Sequence, residues 1–223
     1  NMQRKDVPVP PHLRKTAFIL ENFLSAKECE DLIARSEASG YEPALVNVGG
    51  GRQKLMPDVR NNHRCILDDP ELSQRLFERL REHVPQEHDG QACCGLNERL
   101  RFLRYDPGMK FEVHCDGRYT RSRYDCPDAS RHGEYSAFTV QLYLNEGFEG
   151  GETTFFFGSK GRTQETMAVT PKTGMALVFE QDGLWHEGSA VKKGRKYTCR
   201  TEVMYAAPRT SPIEQWLEQA AQR

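Results

Sequence analysis

The sequence lacks a long hydrophobic run, a large net charge and a paired-cysteine motif, and each absence removes a class of function. No stretch of its 223 residues approaches the roughly 18 consecutive apolar residues that a membrane-spanning helix needs. Lys and Arg number 31 against 32 Asp and Glu, a net charge of −1. That balance argues against nucleic acid gripped by the whole surface, while leaving room for a local basic patch. No C-x-x-C pair occurs, so a structural zinc site of that spacing is excluded. Seven cysteines is an odd number, and a disulfide between the adjacent Cys93 and Cys94 would be strained. The expectation is a reducing compartment, cytoplasmic or nuclear, rather than a secreted one. Residues 1–6 are polar and form no secretory signal, although Asn1 ahead of Met2 leaves room for a removed leader. Gly49-Gly50-Gly51 lacks the Lys-Ser/Thr of a phosphate loop and reads only as a flexible connection.

What is present divides the chain into four stretches of one domain. Residues 1–15, with Val7-Pro8-Val9-Pro10-Pro11, form an extended Pro-rich lead-in. Residues 16–98 are a supporting region of helices and strand. Phe18-Ile19-Leu20 suggests a strand, and Ser25 with Glu28 three residues on is a capping box. Cys29, Leu32 and Ile33 give that helix its apolar stripe, and Gly40 ends it. A second helix opens at Asp69-Pro70-Glu71 and carries Leu72, Leu76, Phe77, Leu80 and Val84 on one face. From residue 99 to 210 short β-rich runs follow one another at 99–105, 111–115, 137–144, 153–157, 165–169, 175–180 and 196–205. That spacing argues for a sandwich or barrel of jelly-roll type. Ser211-Pro212-Ile213-Glu214 opens a short C-terminal helix over 211–223. The fold class is α+β, with a jelly-roll core and the helices packed outside it.

Three residues carry the chemistry. His114 and Asp116 are two apart at the end of a predicted strand, where side chains share a face. His186 follows much later, just after Asp182-Gly183-Leu184-Trp185. Two imidazoles and a carboxylate on one side of a metal make the facial triad of non-heme iron(II) oxygenases, which leaves open positions for co-substrate and dioxygen. Lys196 and Arg200 share one face of the last strand, where neither charge should be buried alone. A dicarboxylate that chelates the metal at one end would offer its far carboxylate to such a cation. Cys115 should point to the face opposite the ligands.

The order of motifs supports this. Arg104-Tyr105-Asp106-Pro107-Gly108 runs into Val113-His114-Cys115-Asp116, followed by Leu142-Tyr143-Leu144-Asn145 and Gly150-Gly151-Glu152-Thr153. His186-Glu187-Gly188 and Gly194-Arg195-Lys196-Tyr197 complete the series. Over roughly residues 99–205 the chain resembles the prolyl 4-hydroxylase-like branch of the iron(II)/2-oxoglutarate dioxygenases. The resemblance implies a double-stranded β-helix (jelly-roll) core, Fe(II), and 2-oxoglutarate and O2 as co-substrates, with ascorbate a candidate addition. It implies His114, Asp116 and His186 as iron ligands and catalytic centre, Lys196 for the distal carboxylate, and Tyr105 and Tyr143 as hydrogen-bond donors to the same co-substrate. Arg200 departs from the family pattern, which usually has a small or neutral residue there, so the carboxylate role is assigned to Lys196 and Arg200 together. Asp116 matters because halogenating relatives replace it by a small residue; its presence implies hydroxylation.

The expected enzyme hydroxylates an unactivated carbon, a prolyl side chain in a peptide or protein being one candidate, and releases succinate and CO2. Rival readings are a hydroxylase of a free amino acid or small metabolite, a catalytically silent jelly-roll binding module, and a cupin-like metal enzyme independent of 2-oxoglutarate. A narrow closed pocket would favour a metabolite, and an open groove beside the 117–135 loop would favour a peptide. That loop contains Arg118, Tyr119, Arg121 and Tyr124, candidate substrate contacts on a rigid rim. Arg52, Lys54, Arg60, Asn61, Asn62 and Arg64 form a second polar run, a candidate wall of the substrate channel. His12, His63, His83, His88 and His132 read as structural.

Overall fold

Local chemistry starts and stops the two helices. In the computed structural model, which describes residues 1–49, 52–158 and 165–208, strands β1 (Gln3–Asp6) and β2 (Ala17–Glu21) pair antiparallel, so the lead-in joins a sheet edge. Helix α1 (Ala26–Ser39) begins at Ser25, whose hydroxyl accepts from Glu28 N while the Glu28 carboxylate accepts from Ser25 N. Gly40, at φ +85°, ends it. Three short strands, β3 (Glu42–Pro43), β4 (Val46–Asn47) and β5 (Gln53–Lys54), lead to β6 (His63–Asp68). Helix α2 (Pro70–Leu80) is capped by the Asp69 carboxylate, which accepts from Leu72 N. Arg79 of α2 donates to Glu28 of α1 at 2.6 Å. The remaining strands are β7 (Glu87–His88), β8 (Gln91–Leu96), β9 (Arg99–Tyr105), β10 (Phe111–His114), β11 (Tyr135–Tyr143), β12 (Glu149–Gly150), β13 (Thr153–Phe157), β14 (Glu165–Val169), β15 (Ala176–Glu180), β16 (Trp185–Gly188), β17 (Val191–Lys193) and β18 (Lys196–Tyr205).

Among the described residues these strands form a ten-stranded main sheet with a path β1-β2-β15-β11-β18-β9-β6-β3, and a four-stranded sheet ordered β10-β16-β13-β14. The expected core strands all form. The main sheet also takes β2, β6 and β8 from the region before residue 99, so the supporting region contributes sheet as well as helices. The expected helix over 211–223 lies outside the described residues. No helix among the described residues is long and apolar enough to cross a membrane.

The period of two divides each central strand between two environments. Phe138, Val140 and Leu142 of β11, with Leu100 and Phe102 of β9 and Cys199 and Val203 of β18, pack with Leu32 of α1 and Leu72, Leu76 and Leu80 of α2. Each fully buried Leu or Phe there contributes about 1.5–3 kcal/mol. On the other face Tyr143, Leu177 and Phe179 of the main sheet meet Phe155, Phe157 and Val169 of the small sheet. The same inward face carries polar residues where the sheets part. Tyr105 stands opposite Lys196, and Gln141 and Arg101 flank Arg200. Here the site forms. All seven cysteines are free.

Candidate active site

Strand pairing brings the two histidines together: His114 on β10 stands directly opposite His186 on β16. Asp116, two residues past His114, places its carboxylate between them, 3.7 Å from His114 Nε2 and 3.8 Å from His186 Nε2. The ligand atoms of the three residues lie within 4.8 Å of one another. Each imidazole is fixed by its own strand, since His114 Nδ1 donates to Glu112 O at 2.7 Å and His186 Nδ1 to Leu184 O at 2.9 Å. A carbonyl can only accept, so the proton sits on Nδ1 and both Nε2 lone pairs face Asp116. Phe111 stacks on His114 at 3.7 Å, and Phe179 and Phe155 pack against His186. Burial pushes the His114 pKa down to about 3, with His186 adding to the effect, and lowers that of His186 as well. Both rings are therefore neutral near pH 7, the form that binds a metal. Burial alone would raise the Asp116 pKa, but Arg200 and then the two imidazoles hold it well below the usual range. The three side chains thus present two neutral nitrogens and one carboxylate, a donor set that fits a divalent iron.

Thr139 on β11, which sequence reasoning missed, donates from Oγ1 to Asp116 Oδ2 at 2.6 Å. Arg200 lies on the other side of the same carboxylate, Nη2 to Oδ1 at 3.1 Å, and also 3.6 Å from Glu202. Glu202 in turn accepts from Arg101 at 2.7 Å and from Asn97 at 2.9 Å. Arg200 is therefore engaged by protein carboxylates. Lys196 is different. It is 2% exposed, its Nζ donates to Gly151 O at 2.6 Å, and it lies over the rings of Tyr105 and Tyr143. It makes no ion pair among the described residues, and burial pushes its pKa down to about 8 against the opposing effect of Glu152. Lys196 and Arg200, taken together from sequence, are separated by their partners.

Tyr143 is fully buried with its hydroxyl 2.7 Å from Thr153 Oγ1, while the buried Tyr105 hydroxyl makes no hydrogen bond among the described residues. Thr198 Oγ1, on the same strand face as Lys196 and Arg200, is buried and unpaired, as is Arg200 Nε. Buried polar groups without partners are rare in a finished core, and Arg200 lines a narrow cavity of about 50 Å³ that the triad and Lys196 also line. A buried cation and the Tyr105 hydroxyl on this cavity fit a dicarboxylate co-substrate, whereas Tyr143, expected to join them, is not among the residues that line it.

The loop residues do not converge. Arg121 is 2% exposed and pairs with Glu98 at 2.7 Å and Glu134 at 3.0 Å, so its guanidinium is taken up inside the protein. Tyr119 shares a depression with Arg121 and Glu98, and Tyr124 is 84% exposed. Arg118 alone of the four lines the larger groove, of about 590 Å³, which Asp116, Trp185 and Lys15 also line. Cys115 lines that outer groove and not the inner cavity, as its alternation with the ligands requires. From the second polar run, Arg60 reaches the inner cavity beside Phe111. Arg64 is buried and donates to Gln53 and Glu42.

A jelly-roll with a buried His-Asp-His triad and a free lysine at one end of its inner cavity defines a class of metal-dependent oxygenase folds. Residues 100–201 match the family model of the 2OG-Fe(II) oxygenase superfamily. Over that stretch, just under half of its length, the chain is similar to that superfamily, and the curated proteins it resembles include prolyl 4-hydroxylases. It is 28% identical over 208 residues to probable prolyl 4-hydroxylase 8 of Arabidopsis thaliana, covering 82% of this chain and 66% of the relative. Prolyl 4-hydroxylase 2 of the same plant is 28% identical over 210 residues, with 82% and 65% covered. The chain thus spans just under two thirds of the length of these relatives. In fold it is similar to a prolyl-4-hydroxylase of Pseudomonas putida (TM-score 0.57, 19% identity, 84% of this chain and 91% of that one). It is also similar to a prolyl hydroxylase of Trichoplax adhaerens in complex with a hypoxia inducible factor peptide fragment (TM-score 0.61, 16% identity, 84% and 82%).

Proposed function

We propose that the protein is an iron(II)- and 2-oxoglutarate-dependent dioxygenase that hydroxylates an unactivated carbon, with a prolyl residue of a peptide or protein as substrate. The observation that carries this reading is Lys196, a buried cation without a carboxylate partner on the cavity the triad lines. The names of the sequence relatives support the prolyl assignment, and the groove beside Asp116 supports a peptide over a small metabolite. His114, Asp116 and His186 would hold iron(II). When bound, the metal supplies dioxygen activation, with 2-oxoglutarate as the electron source that leaves as succinate and CO2.

The chain's own residues supply position and dryness. Lys196 meets the distal carboxylate of 2-oxoglutarate, and the Tyr105 hydroxyl donates to the same co-substrate. Tyr143, tied to Thr153, packs under the Lys196 ammonium and holds it in place. Thr139 and Arg200 fix the two oxygens of Asp116 so that the carboxylate keeps one orientation toward the histidines. Phe111, Phe155 and Phe179 exclude water from the imidazoles.

The test is anaerobic. Iron(II) and then 2-oxoglutarate added to metal-free protein should produce a visible charge-transfer band, absent in His186→Ala. Iron binding without any band would reject the 2-oxoglutarate reading, and no iron binding would reject the metal site.

A further inference from the structure

Arg60 is a second cation on the inner cavity with no carboxylate of its own. Its guanidinium lies 4.5 Å from the centroid of the Phe111 ring that stacks on His114, and a backbone bridge joins residues 60 and 111. It is fixed from behind: Nε donates to Oδ1 of the fully buried Asn62 at 2.8 Å, and Asn62 Nδ2 donates to His63 O at 2.8 Å. Nη1 reaches Leu45 O at 3.5 Å, whereas Nη2 has no partner among the described residues. Burial pushes its pKa down to about 10, with Arg200 and Arg64 acting in the same direction and Tyr105 and Asp116 against it, so it stays charged near neutrality.

Glu187 also lines the cavity and accepts from Ser189 Oγ at 2.8 Å, and the neighbouring arginines are matched. Arg101 meets Glu202, and Arg200 meets Asp116 and Glu202. Lys196, beside Tyr105 and Gly151, is reserved for the far end of the co-substrate. Arg60 is left over, on the Phe111 side of the triad. A half-buried cation held by a buried amide and presenting one free donor edge is a recognition device for an anion. We propose that Arg60 binds a carboxylate of the substrate that is oxidised, so that the enzyme selects a carboxylate-bearing substrate. The inference rests on the function proposed above.

Such a carboxylate has two sources, the α-carboxylate of a free amino acid or chain end, and an acidic side chain beside the reacting residue. Calorimetric titration of the protein loaded anaerobically with iron(II) and 2-oxoglutarate separates them. L-proline is compared with L-prolinamide, and acetyl-Pro-Glu-amide with acetyl-Pro-Gln-amide. The expected result is at least a tenfold preference for the carboxylate in one pair, and that pair identifies the source. Arg60→Gln should reduce the preference to about twofold, Arg60→Lys should retain most of it, and the 2-oxoglutarate titration should be unchanged in both. Equal affinity within both wild-type pairs, undetectable binding included, overturns the proposal. So does a preference that survives Arg60→Gln, or a loss of 2-oxoglutarate binding in that variant, which would place Arg60 in the co-substrate site. Failure of the wild type to bind 2-oxoglutarate is a separate result that rejects the underlying function and this proposal with it.

Discussion

Replacing Lys196 by Met should make the ligand-free protein more stable while removing its response to 2-oxoglutarate. The ammonium is held inside the jelly-roll against Gly151 O and two aromatic rings, and burial brings its pKa from 10.5 to about 8. At 1.36 kcal/mol per unit, keeping this group charged at pH 7 costs the folded state about 3 kcal/mol. Methionine has a similar length and no charge, but it gives up the bond to Gly151 and the ring contacts, together about 1–2 kcal/mol. The net gain is about 1–2 kcal/mol, which raises Tm by roughly 2–8 °C in a chain of this size. The pH dependence follows from a folded pKa that lies below the unfolded one. The penalty is complete below about pH 8 and fades as pH rises to 10.5, so the advantage of the variant should shrink across that window. With metal present, 2-oxoglutarate at about 100 times its Kd should stabilise the wild type by about 2.7 kcal/mol. The variant should lose this, since an unpaired distal carboxylate costs about 2–5 kcal/mol of binding. Urea denaturation of both proteins at pH 7 and pH 10, with and without the co-substrate, measures every quantity. A Met variant that is less stable than the wild type and still stabilised by 2-oxoglutarate would refute the reasoning.

Two further substitutions test the surroundings. Thr139→Val removes the 2.6 Å bond to Asp116 Oδ2 and should weaken metal binding by about 10–100-fold, measured by competition with a chelating dye, with the urea midpoint nearly unchanged. Arg121→Met leaves Glu98 and Glu134 with only Arg131, 3.3 Å from each, as their cation and should cost about 1–3 kcal/mol of stability in the same denaturation experiment. Substrate affinity should be unaffected by that second change in the fraction that remains folded.

The strand run from residue 99 was legible because each strand is short, apolar on alternate positions and bounded by Gly, Pro or Asp. The spacing of His114 and Asp116 placed both on one face for the same reason, and the capping residues Ser25, Glu28 and Asp69 marked the helix starts. Hidden from sequence were the contacts that join distant strands. Thr139 looks like any strand threonine until the segment after β10 is set against β11 and its hydroxyl meets Asp116. The arginines of the 117–135 loop looked equivalent, yet Arg121 is drawn inward by Glu98 and Glu134 while Arg118 stays on the rim. Strand β6 escaped notice because its run of His63, Arg64 and Cys65 lacks clear alternation, and its place is set by pairing with β9.

The amino-acid order by itself determined the parts that depend on neighbours along the chain: helix caps, strand faces, the His-x-Asp pair and the series of motifs that marks the superfamily. Tertiary structure alone decided which charges are satisfied. Lys196 and Arg200 share one strand face by the period of two, but sheet register puts Gln141, Arg101 and Glu202 around Arg200, whereas Lys196 meets Tyr105, Tyr143 and a backbone carbonyl and makes no ion pair among the described residues. Electrostatic pairing acts over a few ångströms of space, whatever the separation in sequence. The cation left free for a ligand is therefore fixed only when the strands close.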